Sequence, residues 1–196
     1  MIRGNEIRKA GNGVHSIFPD RWSPRAMSGE DIPDETLRTL LEAARWAPSS
    51  MNNQPWRILY AHRSCAHWPL FFDLLVDANK VWCQRAAALV LFVSKTTFDT
   101  GKPCRTHSYD TGAAWMSLAL QGSMLGLVVH GMQGFDYDRA RLSLEIPDDY
   151  QVEAMAAIGR PGDVAELPEH LQARETPSDR KGLELIAGEG PFRFGS

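Results

Sequence analysis

The run RWSPR, Arg21 to Arg25, sets two guanidinium groups and a hydroxyl two residues apart. In an extended chain alternate side chains share a side, so Arg21, Ser23 and Arg25 would project together. Such a face suits an anion, because arginine forks pair with phosphate or carboxylate oxygens and each charge-assisted bond is worth about 1.5–3 kcal/mol. A solvated basic loop has the same spacing. A second polar run, AARWAPSSMNNQPWR, stops a helical pattern at Pro48 and sets out Ser49, Ser50, Met51, Asn52, Asn53 and Gln54 before Pro55. Ser, Asn and Pro make ordinary surface turns by bonding to their own backbone. Trp46 and Trp56 flank this one, which also suits a loop bordering a flat polar ligand.

Other chemical devices are missing from the sequence. No GxGxxG follows a strand pattern and no GxxxxGK[ST] occurs, so neither nucleotide fingerprint is supported, and IGRPGD reads as a turn. Cys65 with His67 and Cys104 with His107 are the only Cys/His neighbours, and with no second pair at matching spacing no metal site is expected. Three scattered cysteines point to a reducing compartment, the cytoplasm, rather than a disulfide scaffold. A net charge of -3 without a basic run argues against nucleic acid or a membrane surface as partner. Residues 1–20 carry charges and glycines without an apolar stretch, and read as a loose N-terminal arm rather than a signal peptide.

The elements that would position these residues follow from periodicity. IPDETLRTLLEAARWAP repeats Leu37, Leu40, Leu41 and Ala44 at helical spacing, with acidic residues in the first turn and Pro48 as the stop. WRILYA reads as a strand, FFDLLVDANKVWCQRA as one helix, and AALVLFVS as a strand buried on both faces. From Thr111 to Phe135 there is no Asp, Glu, Lys or Arg. That length could span a membrane, but Gln121, His130, Gln133 and several glycines, with an aspartate on either flank, favour a buried helix over 112–125 and a strand over 127–135. A short helix at YDRARLSL, a strand at VEAMAAIGRPG and a polar C-terminal arm after Gly162 complete the chain. No repeat or linker divides it, so one α+β or α/β domain over 21–196 is the economical reading.

RWSPR, the APSSMNNQPW core, GFD at Gly134 to Asp136 and the late PSDR, in that order and at these spacings, resemble the FMN-dependent nitroreductase family. The resemblance implies an α+β homodimer with a three-layer α/β/α fold, a long buried central helix at the subunit interface and FMN between the subunits. The central helix would be residues 112–125, covered by the partner rather than by lipid. Carried onto this sequence, Arg21, Ser23 and Arg25 match an R-x-S-x-K/R element that holds the ribityl phosphate and approaches N1 and O2 of the ring. Pro48, Ser49, Ser50, Asn52 and Gln54 would pack on the flavin of the other subunit. Asn79 matches a flavin-edge Asn. Gln133 and Gly134 stand where members carry a Glu-Gly pair whose backbone N–H reaches N5. Arg180 matches a late phosphate arginine, whereas Ser178 replaces a second basic residue.

Implied with the family is hydride transfer from NAD(P)H, as co-substrate, to flavin N5 and on to a nitroaromatic, quinone or similar small-molecule acceptor, by a ping-pong cycle. No side chain is singled out as a nucleophile or general acid, so the catalytic residues are left unknown. A dimer that holds FMN without turnover, for storage or redox sensing, would share every cofactor residue.

Overall fold

A run of eight consecutive apolar residues has no polar face to offer water, so it must lie inside a sheet covered on both sides. In the computed structural model, which describes residues 3–11 and 13–194, that run forms one of the two inner strands of a four-stranded sheet. Residues 1, 2 and 12 of the N-terminal arm and 195 and 196 of the tail lie outside the described residues.

In chain order the elements are α1 (Gly4–Ile7), α2 (Ile17–Asp20), α3 (Asp34–Arg45), a 3-10 turn at Ser50–Asn52, β1 (Trp56–His62), α4 (Trp68–Phe72), α5 (Asp77–Cys83), β2 (Ala88–Lys95), α6 (His107–Met124), β3 (Val128–Met132), α7 (Tyr137–Ser143), β4 (Tyr150–Gly159) and α8 (Glu169–Gln172), with 3-10 turns at Val164–Glu166 and Leu183–Leu185. The sheet order is β1-β2-β4-β3, and every neighbouring pair is antiparallel. Of the two classes open from the sequence, the fold is therefore α+β.

Alternate residues of β2 enter different cores, as a pleated strand requires. Ala88, Val90 and Phe92 pack with Leu37 and Leu40 of α3 and with Ala114 and Leu118 of α6. Leu89, Leu91 and Val93 pack with Phe71 of α4 and Trp82 of α5. Each core lies on its own face of the sheet, and β2 is buried along its length up to Lys95.

Two expectations change here. FFDLLVDANKVWCQRA is not one helix. It breaks after Phe72, because Leu75 forms a bridge with Phe135, the Leu74 carbonyl accepts from Asp136 N–H, and Val76 N–H donates to the Gly134 carbonyl. That long-range pairing takes backbone groups a continuous helix would use internally. The central helix begins at His107 rather than at residue 112, so it takes in Asp110, and it is one-sided in the protomer. Asp110, Thr111, Ala114, Leu118, Ala119 and Gly122 are buried in the chain's own core, whereas Tyr109, Gly112 and Met124 are exposed. A charge at Leu118, fully buried within the chain, would thus disturb the fold itself. Among the described residues no helix is long and apolar enough to cross a membrane. The helix ends where the sequence suggests, at Gly126, whose φ of 70° lies in the left-handed region that glycine adopts without strain.

Candidate functional site

Burial alternates residue by residue along the arginine run. Trp22, Pro24 and Ala26 are buried, and Arg21, Ser23 and Arg25 between them are partly exposed. Apolar anchors thus hold the stretch against the core and turn the two guanidiniums and the hydroxyl to one side. They line a cavity of about 440 Å³ together with Arg8, Trp22, His130, Arg174, Thr176, Ser178 and Arg180.

Contacts between distant parts of the chain build this cleft. Glu175, with its side chain 1% exposed, accepts from Arg25 N–H at 2.5 Å and from Ala26 N–H at 2.8 Å, and its second oxygen lies 3.7 Å from Arg25 Nη1. Arg8 is buried, donating from Nε to the Ser178 carbonyl at 2.7 Å and from Nη1 to the carbonyls of Pro19 and Arg21. The N-terminal segment is therefore anchored at Arg8, where the sequence reads as a loose arm. Arg180 Nη1 bonds to the Ser178 carbonyl and hydroxyl and to the Asp179 carbonyl.

The electrostatics are those of crowded cations. Burial first, then the charges of Arg8 and Arg180, hold the Arg21 guanidinium below its ordinary pKa. Burial and Arg180 lower Arg8 similarly, with Asp179 opposing. Arg21 Nη1 donates to Ser23 Oγ at 3.3 Å, while its buried Nε has no hydrogen-bond partner among the described residues. A buried donor left unpaired costs about 1–3 kcal/mol, more when charged. His130 packs against Trp82 with ring centroids 4.5 Å apart and planes tilted by 47°, and its Nδ1 lies 2.9 Å from the Pro24 carbonyl. Burial, followed by the charges of Arg25 and Arg21 and opposed by the carbonyls of Pro24 and Ser23, pushes its pKa down to about 4.

From His130, β3 leads along the outer edge of the sheet to a second cavity of about 390 Å³. Gly131, Met132 and Gln133 line it from the strand side, Thr111, Gly112 and Trp115 from α6, and Phe92 and Glu153 from the sheet. Glu153 accepts from the hydroxyls of Ser108 and Ser94, and the Ser94 hydroxyl also meets His107 Nδ1 at 2.7 Å. Just beyond, Asn79 Nδ2 donates to the Gly134 carbonyl at 3.0 Å. A Cβ at Gly134 would stand 2.7 Å from that nitrogen, so glycine is what lets Asn79 approach.

Of the residues singled out in the sequence, Arg21, Ser23, Arg25 and Arg180 come together on the first cavity, Gln133 lines the second, and Asn79 meets Gly134. Pro48, Ser49, Ser50, Asn52 and Gln54 line neither. Their loop is tied to α6 by Ser50 N–H donating to Asp110, and Ser49 Oγ accepts from Gln54 N–H at 2.9 Å. Met51, Asn52 and Gln54 have φ of 51°, 54° and 47°, a left-handed conformation uncommon outside glycine. Arg8, Arg174, Glu175 and His130 were not singled out. Arg8, Arg174 and Glu175 form no local pattern, but His130 had a signal, as the only titratable side chain in the run from Thr111 to Phe135.

Residues 19–81 match the model of the nitroreductase family. An uncharacterized 15.4 kDa protein of Mycolicibacterium smegmatis is 32% identical over 120 residues, covering 59% of this chain and 78% of that one. An NADH dehydrogenase of Thermus thermophilus is 26% identical over 180 residues, covering 73% and 84%. A crystal structure of an oxidoreductase containing FMN superposes with a TM-score of 0.93 at 45% identity, covering 100% of both chains. A nitroreductase family protein of Clostridium difficile shares the fold, with a TM-score of 0.69 at 20% identity over 90% of this chain and 97% of that one. The antiparallel α+β fold, the arginine run and these likenesses agree, and the chain belongs to the nitroreductase family.

Proposed function

We propose that the protein is an FMN-dependent oxidoreductase, a homodimer of the cytoplasm that oxidises NAD(P)H and reduces a nitroaromatic, quinone or similar small acceptor by a ping-pong cycle. The observation that carries this reading is the cationic cavity, where Arg21, Arg25 and Arg180 face one space and the buried Arg21 Nε lacks a partner. A phosphate monoester fits such a set, since it offers acceptors to the unpaired donor and its charge offsets the Arg8 and Arg180 cations that hold the Arg21 guanidinium below its ordinary pKa. FMN, when bound, supplies the two-electron carrier that lets two substrates react in turn.

The chain's own residues bind and orient. Arg21, Ser23 and Arg180 hold the phosphate. Arg25, whose backbone is fixed by Glu175, presents a stationary cation to negative charge that accumulates on reduction, so no rearrangement is needed at that moment. Asn79, Gln133 and Gly134 border the ring, and the backbone N–H of Gly134, which donates to no group among the described residues, orients its reactive edge. Pro48, Ser49, Ser50, Asn52 and Gln54 serve the site of the partner subunit. The exposure of Pro48, Asn52 and Gln54 in the protomer and the left-handed φ of Met51, Asn52 and Gln54 support that role, because strained backbone clusters where binding over-determines it. In this reading residues 21–196 form one FMN-binding domain.

Arg21→Ala is expected to weaken FMN binding by about tenfold to hundredfold, roughly 1.5–3 kcal/mol, and Arg180→Ala by an amount near the lower end because Arg180 is exposed. Quenching of flavin fluorescence during titration into the apoprotein measures both. Unchanged affinity in both variants would reject the phosphate assignment. Turnover is tested by NADH and NADPH oxidation with a quinone, and consumption that stops at one equivalent per flavin would reject the enzyme reading.

A further inference from the structure

We propose that His130 is a ligand-binding residue of the cationic cavity, its Nε2 accepting a hydrogen bond from a hydroxyl of the polyol chain that joins phosphate to ring. The inference rests on the FMN reading and assigns a contact to a residue outside the motifs that carry that reading.

The tautomer follows from the neighbours. A carbonyl oxygen only accepts, so the 2.9 Å contact between His130 Nδ1 and the Pro24 carbonyl requires the proton on Nδ1. A neutral ring then carries an accepting lone pair on Nε2. Burial and the cations of Arg21 and Arg25 keep the ring neutral at physiological pH. The Pro24 hydrogen bond and the tilted contact with Trp82, 4.5 Å away, hold the ring in place. His130 therefore brings a rigid, uncharged acceptor to a cavity whose arginines only donate.

Its position selects the partner group. His130 lines the arginine cavity, while Met132 and Gln133, two and three residues further along the chain, line the second cavity beside Gly134. The group lying between a phosphate in the first and a ring at the second is the hydroxylated chain. Those hydroxyls donate as well as accept, and arginines cannot satisfy the donors.

Two substitutions separate binding from support. His130→Asn places an amide near Nδ1, retaining a donor for the Pro24 carbonyl and losing the Nε2 acceptor, whereas His130→Gln reaches the Nε2 position with an amide oxygen. Each is titrated as apoprotein by fluorescence quenching with FMN and with a flavin phosphate whose linking chain is an unhydroxylated pentyl group. The expected result is about threefold to tenfold weaker FMN binding by His130→Asn, the loss of one neutral hydrogen bond. The preference of the unaltered protein for FMN over the pentyl analogue should shrink by the same factor, and His130→Gln should restore most of it. Equal losses for FMN and the analogue, or no loss in His130→Asn, would overturn the assignment. Failure of the unaltered protein to bind either flavin would instead reject the FMN reading itself.

Discussion

A heterodimer with Arg25→Ala in one subunit and Asn52→Ala in the other is expected to recover about half the turnover of the unaltered dimer, provided its two sites act independently. Arg25 faces the cationic cavity of its own chain, and Asn52 sits on an exposed loop lining neither cavity. If that loop completes the partner's site, each homodimeric variant carries one lesion in both of its sites. In the mixed dimer both lesions fall in a single site. The other site receives an intact Arg25 from one chain and an intact Asn52 from its partner. Purification through two different tags isolates the mixed species, and NADH oxidation with a quinone reports its rate. Were both residues to serve one chain's flavin, each site would keep a lesion. Activity no higher than the mean of the two homodimers would therefore reject the shared site.

Stability is expected to fall by about 3 kcal/mol on account of His130 alone as pH drops from 7 to below 4. The folded ring has its pKa pushed down to about 4 from an ordinary value of 6.5. Between these values the unfolded chain binds a proton that the folded chain refuses, so unfolding takes up protons and acid favours it. The contribution is fully present above about pH 6.5, shrinks through the window and is constant again below about 4. Burial is the largest cause, so replacement by a nonionising ring of similar size removes the dependence while keeping the ring contact with Trp82. Denaturant unfolding of the apoprotein at pH 7.5 and 4.5 should show a smaller drop for His130→Phe than for the unaltered protein. Equal drops would show that the half-buried ring does not carry the effect.

Much of the fold was legible because its signals are local. AALVLFVS had to be an inner strand, since neither face could meet water, and β2 is one. DETLRTLLEAAR had one apolar stripe, and α3 buries Leu37, Leu40 and Ala44 from it. Gly126 closes α6 through a conformation that glycine reaches without strain. The break after Phe72 was not legible, because its cause is the pairing of Leu75 with Phe135, sixty residues further along the chain. The one-sided burial of α6 was equally hidden, since its composition gives no apolar stripe and the choice of face belongs to the sheet and α3.

The site divides in the same way. By itself the sequence determined which residues could bind an anion and that they would share a side, because a period of two is a property of one extended strand of chain. The FMN reading came with the family motifs. Only the tertiary structure decided what surrounds those arginines. Glu175 reaches Arg25 across 150 positions and Arg8 reaches Ser178 across 170. His130 gains its neutral ring and fixed tautomer from Pro24, Trp82 and the two arginines. Periodicity constrains neighbours along the chain, whereas desolvation and crowding of charge depend on which distant segments exclude water from one space, and folding alone sets that.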